Sequence, residues 1–467
     1  MNRRRIEMQT LIESTSVVAL KEELRGTVIC PGDAGYEAAR RVYNAMIDRH
    51  PQIIIRCTDA ADVIAAVRFA RESGLPLAVR GGGHNGGGLG TCDEGVVIDL
   101  SPMKGIRVDP QARTALVEGG CLLRDLDHAT HAFGLATPTG INSTTGIGGL
   151  TLGGGFGHLT RRYGLTVDNL LAVDMVLADG RFVTASTEQN ADLFWAVRGG
   201  GGNFGIVTAF LFRLHPVETV VAGQTLWPLE RAAEALCFYR DFLSQAPDEL
   251  SGIFAISTVP PWPRFPEHLH LKPVCGVTWC YAGPEQHAEE LFAPVRAFGS
   301  PVLHSLASLP FPKLQQATDA LYPAGLQWYW RAHYLTELTD GATTRIAQEG
   351  ATLPTAHSRI QLFPIDGAAS RVDPHEMAYN YREAKWSLVI VGVDPDPAKA
   401  NLLKSWTVST WAALQPFSAG GAYVNFMMEE NQDRVVATYR DNYPRLAAIK
   451  AHYDPDNLFR INQNIRP

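Results

Sequence analysis

The stretch RGGGHNGGG at Arg80–Gly88 comes directly after the apolar run Leu77–Val79. Glycine lets a backbone approach a ligand closely, and a tight turn after a strand points N–H groups inward, as a bound pyrophosphate requires. A phosphate cradle does not need an imidazole, so His84 is the unusual residue. A histidine ring nitrogen can act as a nucleophile toward an electrophilic cofactor methyl group. The alternative is a glycine-rich surface turn in which the histidine is incidental.

The composition narrows the possible functions. Of 467 residues, 43 are glycine, concentrated between Gly81 and Gly205, which predicts that this third of the chain wraps a ligand. A net charge of −7 gives no electrostatic case for nucleic acid or an anionic membrane, and the absence of a long apolar run predicts no membrane-spanning helix. The seven cysteines form no CxxC pair, which argues against a disulfide scaffold or metal site and favours the cytoplasm. Arg3–Arg5 is expected to be a solvated tail.

The pattern of apolar residues predicts alternating strands and helices in the first hundred residues. Helices are expected over Ala34–Ile47 and from Thr58, as the N-cap, to a stop at Gly74. The next hundred residues are richer in strands, with a hairpin turning at Asp179–Gly180. From about Val217 the chain has the pattern of a separate α+β domain. A further helix is predicted over Val435–His452, and Glu430 and Arg382 are expected at the surface.

Three other stretches also have an unusual composition. Glycine is frequent in Pro138–Gly157 and Phe194–Val207, and the tail Tyr453–Ile465 is rich in amides, which both donate and accept hydrogen bonds. Pro138–Gly157 could be mistaken for a dinucleotide-binding fingerprint, with Asp168 about 20 residues on. No strand is predicted before it, however, and its additional glycines should break the helix that the fingerprint needs. The alternative for the tail is an ordinary C-terminal turn.

Together these four stretches resemble the berberine-bridge-enzyme-like branch of the vanillyl-alcohol-oxidase flavoproteins, over about Thr27–Pro467. The resemblance implies an α+β fold in which a PCMH-type FAD-binding domain, residues 26–215, has two subdomains at about 26–95 and 96–215. An α+β substrate domain, 216–415, would cover the flavin with an antiparallel sheet. The terminal segment, 416–467, would return to the FAD domain, and residues 1–25 would form an N-terminal tail or helix.

The resemblance also implies the cofactor and its contacts. FAD would be attached covalently through His84, without a metal ion. The other expected cofactor contacts are Arg80, Gly81, Gly82, Gly83, Asn85, Gly88, Gly119, Thr139, Gly140, Asn142, Gly146, Gly149, Thr151, Gly154, Gly155, Gly205, Val207, Tyr423, Asn425, Asn462 and Asn464. Asn142 occupies the position of a cysteine that forms a second flavin bond in many members. Because Cys92 and Cys121 fall elsewhere, no second, cysteinyl bond is expected.

The implied reaction is oxidation of a small organic substrate, an amine, an alcohol or a secondary-metabolite intermediate, by hydride transfer to the flavin. Dioxygen would reoxidise the flavin and give hydrogen peroxide. In this chain Tyr423 and Asn425 match a Tyr-x-Asn pair of the family. Many members have a catalytic tyrosine directly after this pair, but this chain has Phe426 there, so the base for an alcohol substrate is in doubt.

Substrate contacts must then come from other residues. Strand alternation in Gln327–Tyr334 puts Tyr329 and Arg331 on one face and Trp328 and Trp330 on the other. Tyr329, Arg331, Gln361 and Tyr423 are the candidate catalytic residues, and the alternative for the first three is an ordinary sheet position. Two other functions stay open: a flavin dehydrogenase that reacts poorly with oxygen, and a catalytically silent flavin-binding protein. No oligomeric state is predicted.

Overall fold

The computed structural model describes residues 17–467. The predicted tail Arg3–Arg5 and most of the predicted segment 1–25 lie outside this range. No helix within the described residues has the length and apolar character needed to cross a bilayer.

The first sheet carries the glycine-rich stretch at the end of one of its strands. Its four strands, in the order β1-β2-β4-β3, are β1 (Thr27–Ile29), β2 (Ile53–Arg56), β3 (Leu77–Arg80) and β4 (Val96–Asp99). Strands β2, β4 and β3 are parallel, and β1 is antiparallel to β2. The helix Ala60–Ser73 follows β2, and its N-cap is Asp59 rather than Thr58, because the Asp59 carboxylate accepts the Asp62 N–H. Gly74 ends the helix at φ 66°.

The second sheet is antiparallel, in the order β5-β6-β10-β8-β9. Its strands are β5 (Ile106–Asp109), β6 (Thr114–Glu118), β8 (Leu170–Val176), β9 (Phe182–Ser186) and β10 (Ile206–Arg213). The predicted hairpin at Asp179–Gly180 joins β8 to β9, with Gly180 at φ 83°. A small two-stranded sheet pairs β7 (Leu135–Ala136) with β11 (His215–Pro216).

The third sheet has seven antiparallel strands, in the order β15-β12-β14-β13-β17-β18-β16. They are β12 (Thr219–Pro228), β13 (Leu250–Thr258), β14 (Pro273–Tyr281), β15 (Leu303–Pro310), β16 (Gln327–Leu335), β17 (Arg359–Pro364) and β18 (Trp386–Asp394). The first two sheets lie within the predicted FAD-binding domain, 26–215, and the seven-stranded sheet lies within the predicted substrate domain, 216–415. Strand β4 (Val96–Asp99) belongs to the first sheet although it lies just beyond the predicted subdomain boundary at about residue 95. The domain boundaries stay a prediction.

Helices cover the outer faces of the sheets and connect them. Their bounds are Tyr36–Arg40, Ala60–Ser73, Leu123–His131, Ile147–Leu152, Thr160–Tyr163, Ala191–Val197, Ala232–Gln245, Ala288–Leu291, Ala293–Ala297, Phe311–Gln316, Asp340–Gly350, Ala400–Leu414, Gln432–Tyr439 and Tyr443–Tyr453. Residues 17–23 are helical as well. A short helix therefore does begin after Gly146, contrary to expectation, although no strand of the first sheet leads into it.

Two predicted helices differ from the structure. Only Tyr36–Arg40 of the predicted helix Ala34–Ile47 is helical. The following segment is held by tertiary contacts instead, because the Asn44 amide donates to the carbonyls of Gly86 and Trp328, both at 2.8 Å. The predicted helix Val435–His452 is two helices, since Arg440 has a positive φ of 47° and Pro444 lies in the first turn of the second, which begins at Tyr443.

Buried charges fix the seven-stranded sheet against the other two. Arg382 and Asp168 form a bidentate ion pair at 2.6 and 2.9 Å, with side chains only 3% and 8% exposed. The expectation that Arg382 is a surface charge is therefore wrong, and Asp168 serves the domain contact. Arg161 pairs with Asp366 and also donates to the carbonyl of Leu243 at the end of a helix of the substrate unit. These contacts hold the two units in one orientation around the space between them.

Candidate active site

A cavity of about 330 Å³ lies between the seven-stranded sheet and the two smaller sheets. Volumes of roughly 300–1,000 Å³ are typical of small-molecule sites. All four unusual sequence stretches contribute to its wall, together with strands β16, β17 and β18. The three glycine-rich stretches and the amide-rich tail therefore meet in one place.

Most of the predicted site residues line this cavity. They are Arg80, Gly81, Gly82, Gly83, His84, Asn85, Gly119, Gly140, Asn142, Gly146, Gly149, Gly205, Val207, Gln361, Tyr423, Asn425 and Asn462. The remaining predicted residues do not line it: Gly88, Thr139, Thr151, Gly154, Gly155, Tyr329, Arg331 and Asn464. Of these, the Thr151 hydroxyl donates to a carbonyl of its own helix, and the Thr139 hydroxyl oxygen accepts from the Gln315 amide. The Gly155 N–H donates to the hydroxyl oxygen of Tyr423, which does line the cavity.

The first two glycine-rich stretches touch each other backbone to backbone. A Cβ atom on Gly82 would lie 2.5 Å from the Gly146 nitrogen, and one on Gly146 would lie 2.7 Å from the Gly82 Cα. Real Cβ atoms do not approach backbone so closely, so each glycine is required by the other. This contact joins the turn after β3 to the start of the helix Ile147–Leu152.

The backbone of the first stretch has free hydrogen-bond donors. Among the described residues, none of the N–H groups of residues 81–87 donates to another protein group. The neighbouring cation, Arg80, is already paired with Asp99 at 2.9 Å, and both side chains are buried. A phosphate group here would therefore be bound chiefly by backbone N–H groups, as in other anion-binding turns.

His84 is held in the cavity wall by contacts on its face and its edge. The Tyr43 ring stacks on the imidazole with a centroid distance of 3.8 Å and an interplanar angle of 23°. The Thr144 hydroxyl oxygen lies 3.5 Å from Nε2. Burial lowers the pKa of His84 to about 4, so the imidazole is neutral and has a free lone pair at physiological pH.

Other polar atoms of the wall have no protein partner. The Asn142 Nδ2 and Asn462 Oδ1 atoms are buried and make no hydrogen bond. Unpartnered buried polar atoms are rare in folded proteins and need a partner of some kind. A Cβ atom on Gly149 or Gly202 would meet nothing within 4 Å, which shows that the glycine backbone faces open space at these positions. The wall thus combines backbone donors, free amide groups and room beside the glycines.

Tyr423 and Asn425 form a small hydrogen-bonded unit. The Tyr423 hydroxyl oxygen accepts from the Gly155 N–H at 3.0 Å and from the Asn425 amide at 2.8 Å. Burial raises the pKa of Tyr423 to about 12, despite the opposing effect of these two donors. Phe426 packs edge-on against Phe156 and Tyr423. This corner of the cavity is aromatic and has no group that ionises near neutral pH.

The residues of β16 predicted on the substrate side lie on the face of that strand that points away from the cavity. The alternation is as predicted, but Trp328 and Trp330 line the cavity, whereas Arg331 pairs with Glu430 at 3.1 Å and packs on Trp411. Glu430 was expected at the surface, yet its side chain is only 5% exposed because it also pairs with Arg434. The face of β16 that carries Tyr329 and Arg331 is covered by the helix Ala400–Leu414. The alternation within a strand cannot reveal which of its two faces a distant helix covers.

Several wall residues were missed by the sequence reasoning. Tyr43, Phe156, Tyr322 and Phe363 all line the cavity. Gln361 does line it, and its side-chain oxygen accepts from the Tyr322 hydroxyl at 3.0 Å. The sequence feature that could have indicated these residues is the high number of aromatic residues near the motifs. Because an ordinary hydrophobic core shows the same feature, it does not single them out.

A buried ion pair shapes the end of the cavity formed by the tail. Lys450 and Asp454 are both 0% exposed and lie 2.5 Å apart. The Lys450 ammonium also donates to the carbonyls of Asn203 and Phe459, at 2.7 and 3.2 Å. Asn203 and Phe459 line the cavity, so this pair joins the third glycine stretch to the tail.

Charged groups are scarce around the cavity. Within residues 17–467, no Asp, Glu or Lys side chain lines it. In the same range there is no group of three or more His, Cys, Asp or Glu residues that could hold a metal ion.

Comparison with known proteins identifies the family. A family model described as "FAD binding domain" matches residues 51–186, and one described as "Berberine and berberine like" matches residues 422–466. The chain is 32% identical over 451 residues to an FAD-linked oxidoreductase of Dictyostelium discoideum, with 96% of each chain covered. It is 30% identical over 469 residues to (R)-6-hydroxynicotine oxidase of Paenarthrobacter nicotinovorans, covering 97% of this chain and 99% of that one.

Solved structures agree with this result. The crystal structure of 6-hydroxy-D-nicotine oxidase from Arthrobacter nicotinovorans has a TM-score of 0.85 at 29% identity, covering 95% of this chain and 98% of that one. A variant of berberine-bridge-enzyme-like protein 1 from Physcomitrella patens has a TM-score of 0.87 at 25% identity, covering 97% and 99%. The predicted family, the PCMH-type α+β fold and FAD as cofactor are confirmed. The free backbone donors and open glycine positions of the cavity fit FAD. The chain therefore belongs to the berberine-bridge-enzyme-like family of FAD-linked oxidoreductases.

Proposed function

We propose that this protein is an oxidase that holds FAD covalently through His84 and transfers hydride from a small organic substrate, preferably an amine, to the flavin. The observation that carries the proposal is a neutral histidine in the wall of a cavity whose other side is aromatic. When bound, FAD supplies the two-electron acceptor, and dioxygen reoxidises it with release of hydrogen peroxide. The oxidase named among the relatives supports the choice of oxidase over dehydrogenase.

The proposed attachment uses one bond only. Neither Cys92 nor Cys121 lines the cavity, whereas Asn142, which the family resemblance aligns with the second attachment cysteine, does line it. Cys121 is fully buried beneath the second sheet, and burial raises the pKa of its thiol to about 12. A thiol with so high a pKa gives little thiolate, which is the reactive form.

The side chains of the substrate side position and enclose a substrate more readily than they remove a proton. Trp328, Trp330 and Phe363 exclude water, and Gln361 supplies a polar contact. Tyr423 holds its own proton because its pKa is about 12, and Phe426 has none to exchange. An alcohol needs a base when hydride leaves its carbon, whereas a neutral amine can use its own lone pair. The wall therefore favours an amine bound in its uncharged form.

Peroxide release tests the proposal. Purified protein is mixed with a panel of small aromatic and alicyclic amines and alcohols, and oxygen uptake and hydrogen peroxide are measured. We expect stoichiometric peroxide with at least one amine. Anaerobic bleaching of the flavin without peroxide in air would identify a dehydrogenase, and no bleaching by any compound would identify a silent flavin-binding protein.

A cytoplasmic location and a role in secondary metabolism stay predictions.

The pH dependence distinguishes substrate ionisation from protein ionisation. Burial raises the pKa of Tyr423 to about 12, so this group keeps its proton between about pH 6 and pH 10. Because no carboxylate of residues 17–467 lines the cavity to pair with an ammonium, kcat/KM should rise with pH up to the pKa of the amine substrate, while kcat stays level. The check is a pair of profiles for two amines of different pKa. An inflection at the same pH for both would contradict the proposal.

A further inference from the structure

The second glycine-rich stretch, Pro138–Gly157, is bonded at alternate residues to one short segment of the substrate unit. This segment, residues 315–319, lies at the end of the helix Phe311–Gln316 and in the turn that follows it. The Gln315 amide donates to the Thr139 hydroxyl, the Thr318 hydroxyl donates to the Ile141 carbonyl, and the Asp319 carboxylate accepts from the N–H and hydroxyl of Ser143. The four bonds are 2.5–3.0 Å long.

The residues between the bonded ones belong to the cavity wall. Gly140 and Asn142 line the cavity, whereas none of the three side chains that hold this stretch does. The Asn142 Nδ2 atom is buried without a protein partner, so it is available to a bound cofactor. The position of this part of the wall is therefore set from outside the cavity by residues 315–319.

Asp319 makes the strongest of these contacts. Hydrogen bonds to an ionised group are roughly twice as strong as neutral ones, and Asp319 accepts two of them from Ser143. Ser143 is 1% exposed, so both of its donors would lack a partner if the carboxylate were removed. Three residues further on, Tyr322 lines the cavity and donates to Gln361. One short segment thus contacts the glycine-rich wall and the substrate side of the same cavity.

A second carboxyl group lies next to this contact. Asp127, on the helix Leu123–His131, is 3% exposed, and its hydrogen-bond partner, the Gln315 amide nitrogen, is 3.5 Å away. Burial raises the pKa of Asp127 to about 7; the Gln315 amide opposes this shift, and the Asp319 carboxylate adds to it. Within residues 17–467, neither of the two carboxyl groups pairs with a cation.

The other charged groups near Asp127 do not compensate it. Its helix packs on the helix Phe311–Gln316 and on strands β5 and β7. The charged side chains of these elements are all exposed: Lys313, Arg107 and Asp109. On the helix itself, Arg124 and His128 are exposed, Asp125 pairs with Lys104, and His131 lies one turn further on with a buried, unpartnered Nδ1. Loss of the Asp127 proton would therefore place a second negative charge beside Asp319.

We propose that Gln315 and Asp319 are positioning residues for FAD binding, and that Asp127 makes their contact with the second glycine-rich stretch proton-dependent. This inference needs FAD as the cofactor but not its covalent attachment. A carboxyl group in water loses its proton near pH 4, whereas Asp127 in the closed contact keeps it up to about pH 7. The closed contact is therefore most stable below about pH 4 and loses stability as the pH rises to about 7.

The positioning role is tested by FAD affinity, measured in a His84→Ala background so that binding is reversible. Asp319→Ala leaves both Ser143 donors without an acceptor, and we expect FAD affinity on the order of 10-fold lower. Asp319→Asn restores an acceptor oxygen and should recover most of the affinity. Equal FAD affinity in Asp319→Ala and the background would overturn the positioning role.

Asp62→Ala is the matched control for Asp319→Ala. The Asp62 carboxylate also accepts from the N–H and hydroxyl of one residue, Thr58, both at 2.8 Å, but it holds the start of the helix Ala60–Ser73 rather than a part of the cavity wall. Its removal should lower the thermal midpoint of the FAD-free protein without changing FAD affinity. An equal loss of FAD affinity in the two variants would reduce Asp319 to a structural residue and overturn the inference.

The proton dependence is tested between pH 5 and pH 8 with Asp127→Asn, which keeps the shape of the side chain but cannot ionise. In the His84→Ala background, FAD affinity should fall by roughly 3- to 10-fold as the pH rises over this range. The added Asp127→Asn substitution should flatten this profile, together with that of the thermal midpoint of the FAD-free protein. The same profiles with and without Asp127→Asn would overturn the proton dependence.

Discussion

A Gly146→Ala variant is expected to lose most of its FAD and to unfold at a lower temperature than the unchanged protein. The added methyl group would lie 2.7 Å from the Gly82 Cα, and backbone on both sides leaves no flexible atom to move aside. Overpacking of this kind costs about 1–3 kcal/mol, which corresponds to a FAD affinity lowered by about 5- to 150-fold if the glycine-rich stretches separate. Affinity is best measured in a His84→Ala background, where binding is reversible.

Two glycines provide the comparison. Gly341→Ala adds the same methyl group at the start of the helix Asp340–Gly350, where the nearest atom is 3.4 Å away, and it should change neither quantity. Gly149→Ala places its methyl group in the open space of the cavity, so it should lower FAD affinity without lowering the thermal midpoint of the FAD-free protein. Normal FAD content and a normal midpoint in Gly146→Ala would show that the contact with Gly82 is not required.

Removing Asp454 should destabilise the protein more than any surface charge change. Asp454→Ala leaves the Lys450 ammonium buried without its counter-ion, and breaking a buried ion pair costs about 3–5 kcal/mol. For a chain of this size the entropy of unfolding is about 1 kcal/mol per degree, so we expect a fall in the thermal midpoint on the order of 3–5 °C. The backbone N–H groups of Leu458 and Phe459 also lose the acceptor that fixes the tail beside the cavity.

The control for this variant is a paired but exposed carboxylate. Glu234 pairs with Arg231 on a helix surface, and its side chain is 64% exposed. Glu234→Ala should cost no more than about 0.5 kcal/mol and leave the midpoint nearly unchanged. Thermal unfolding of both variants, followed by flavin fluorescence and circular dichroism, tests the comparison. Equal midpoints would contradict a structural role for the buried pair.

Local patterns were sufficient to predict the elements that carry the glycine-rich stretches. The apolar run Leu77–Val79 and the turn Asp179–Gly180 each correspond to the expected strand or hairpin. His84 could be singled out because an imidazole is unusual within a glycine run. These features depend on residues close together in the sequence, where period and turn chemistry decide the structure.

The missed features depend on contacts between distant residues. The segment around Tyr43 has a helical pattern, but Asn44 bonds to Gly86 and Trp328 on two other elements. Which face of β16 meets the cavity depends on the helix Ala400–Leu414, which covers Arg331 and leaves Trp330 on the cavity side. Glu430 was expected at the surface because no local pattern reveals the two arginines that bury it.

The central claim is that a single covalent bond from His84 holds the flavin. Acid precipitation of the purified protein, followed by peptide mass mapping, tests it most directly, with His84→Ala as the control. We predict that the yellow colour stays with the precipitate and that the flavin mass lies on the peptide containing His84, with none on the peptides containing Cys92 or Cys121. In His84→Ala the colour should pass to the supernatant. Colour in the supernatant of the unchanged protein, or flavin on a cysteine peptide, would contradict the claim.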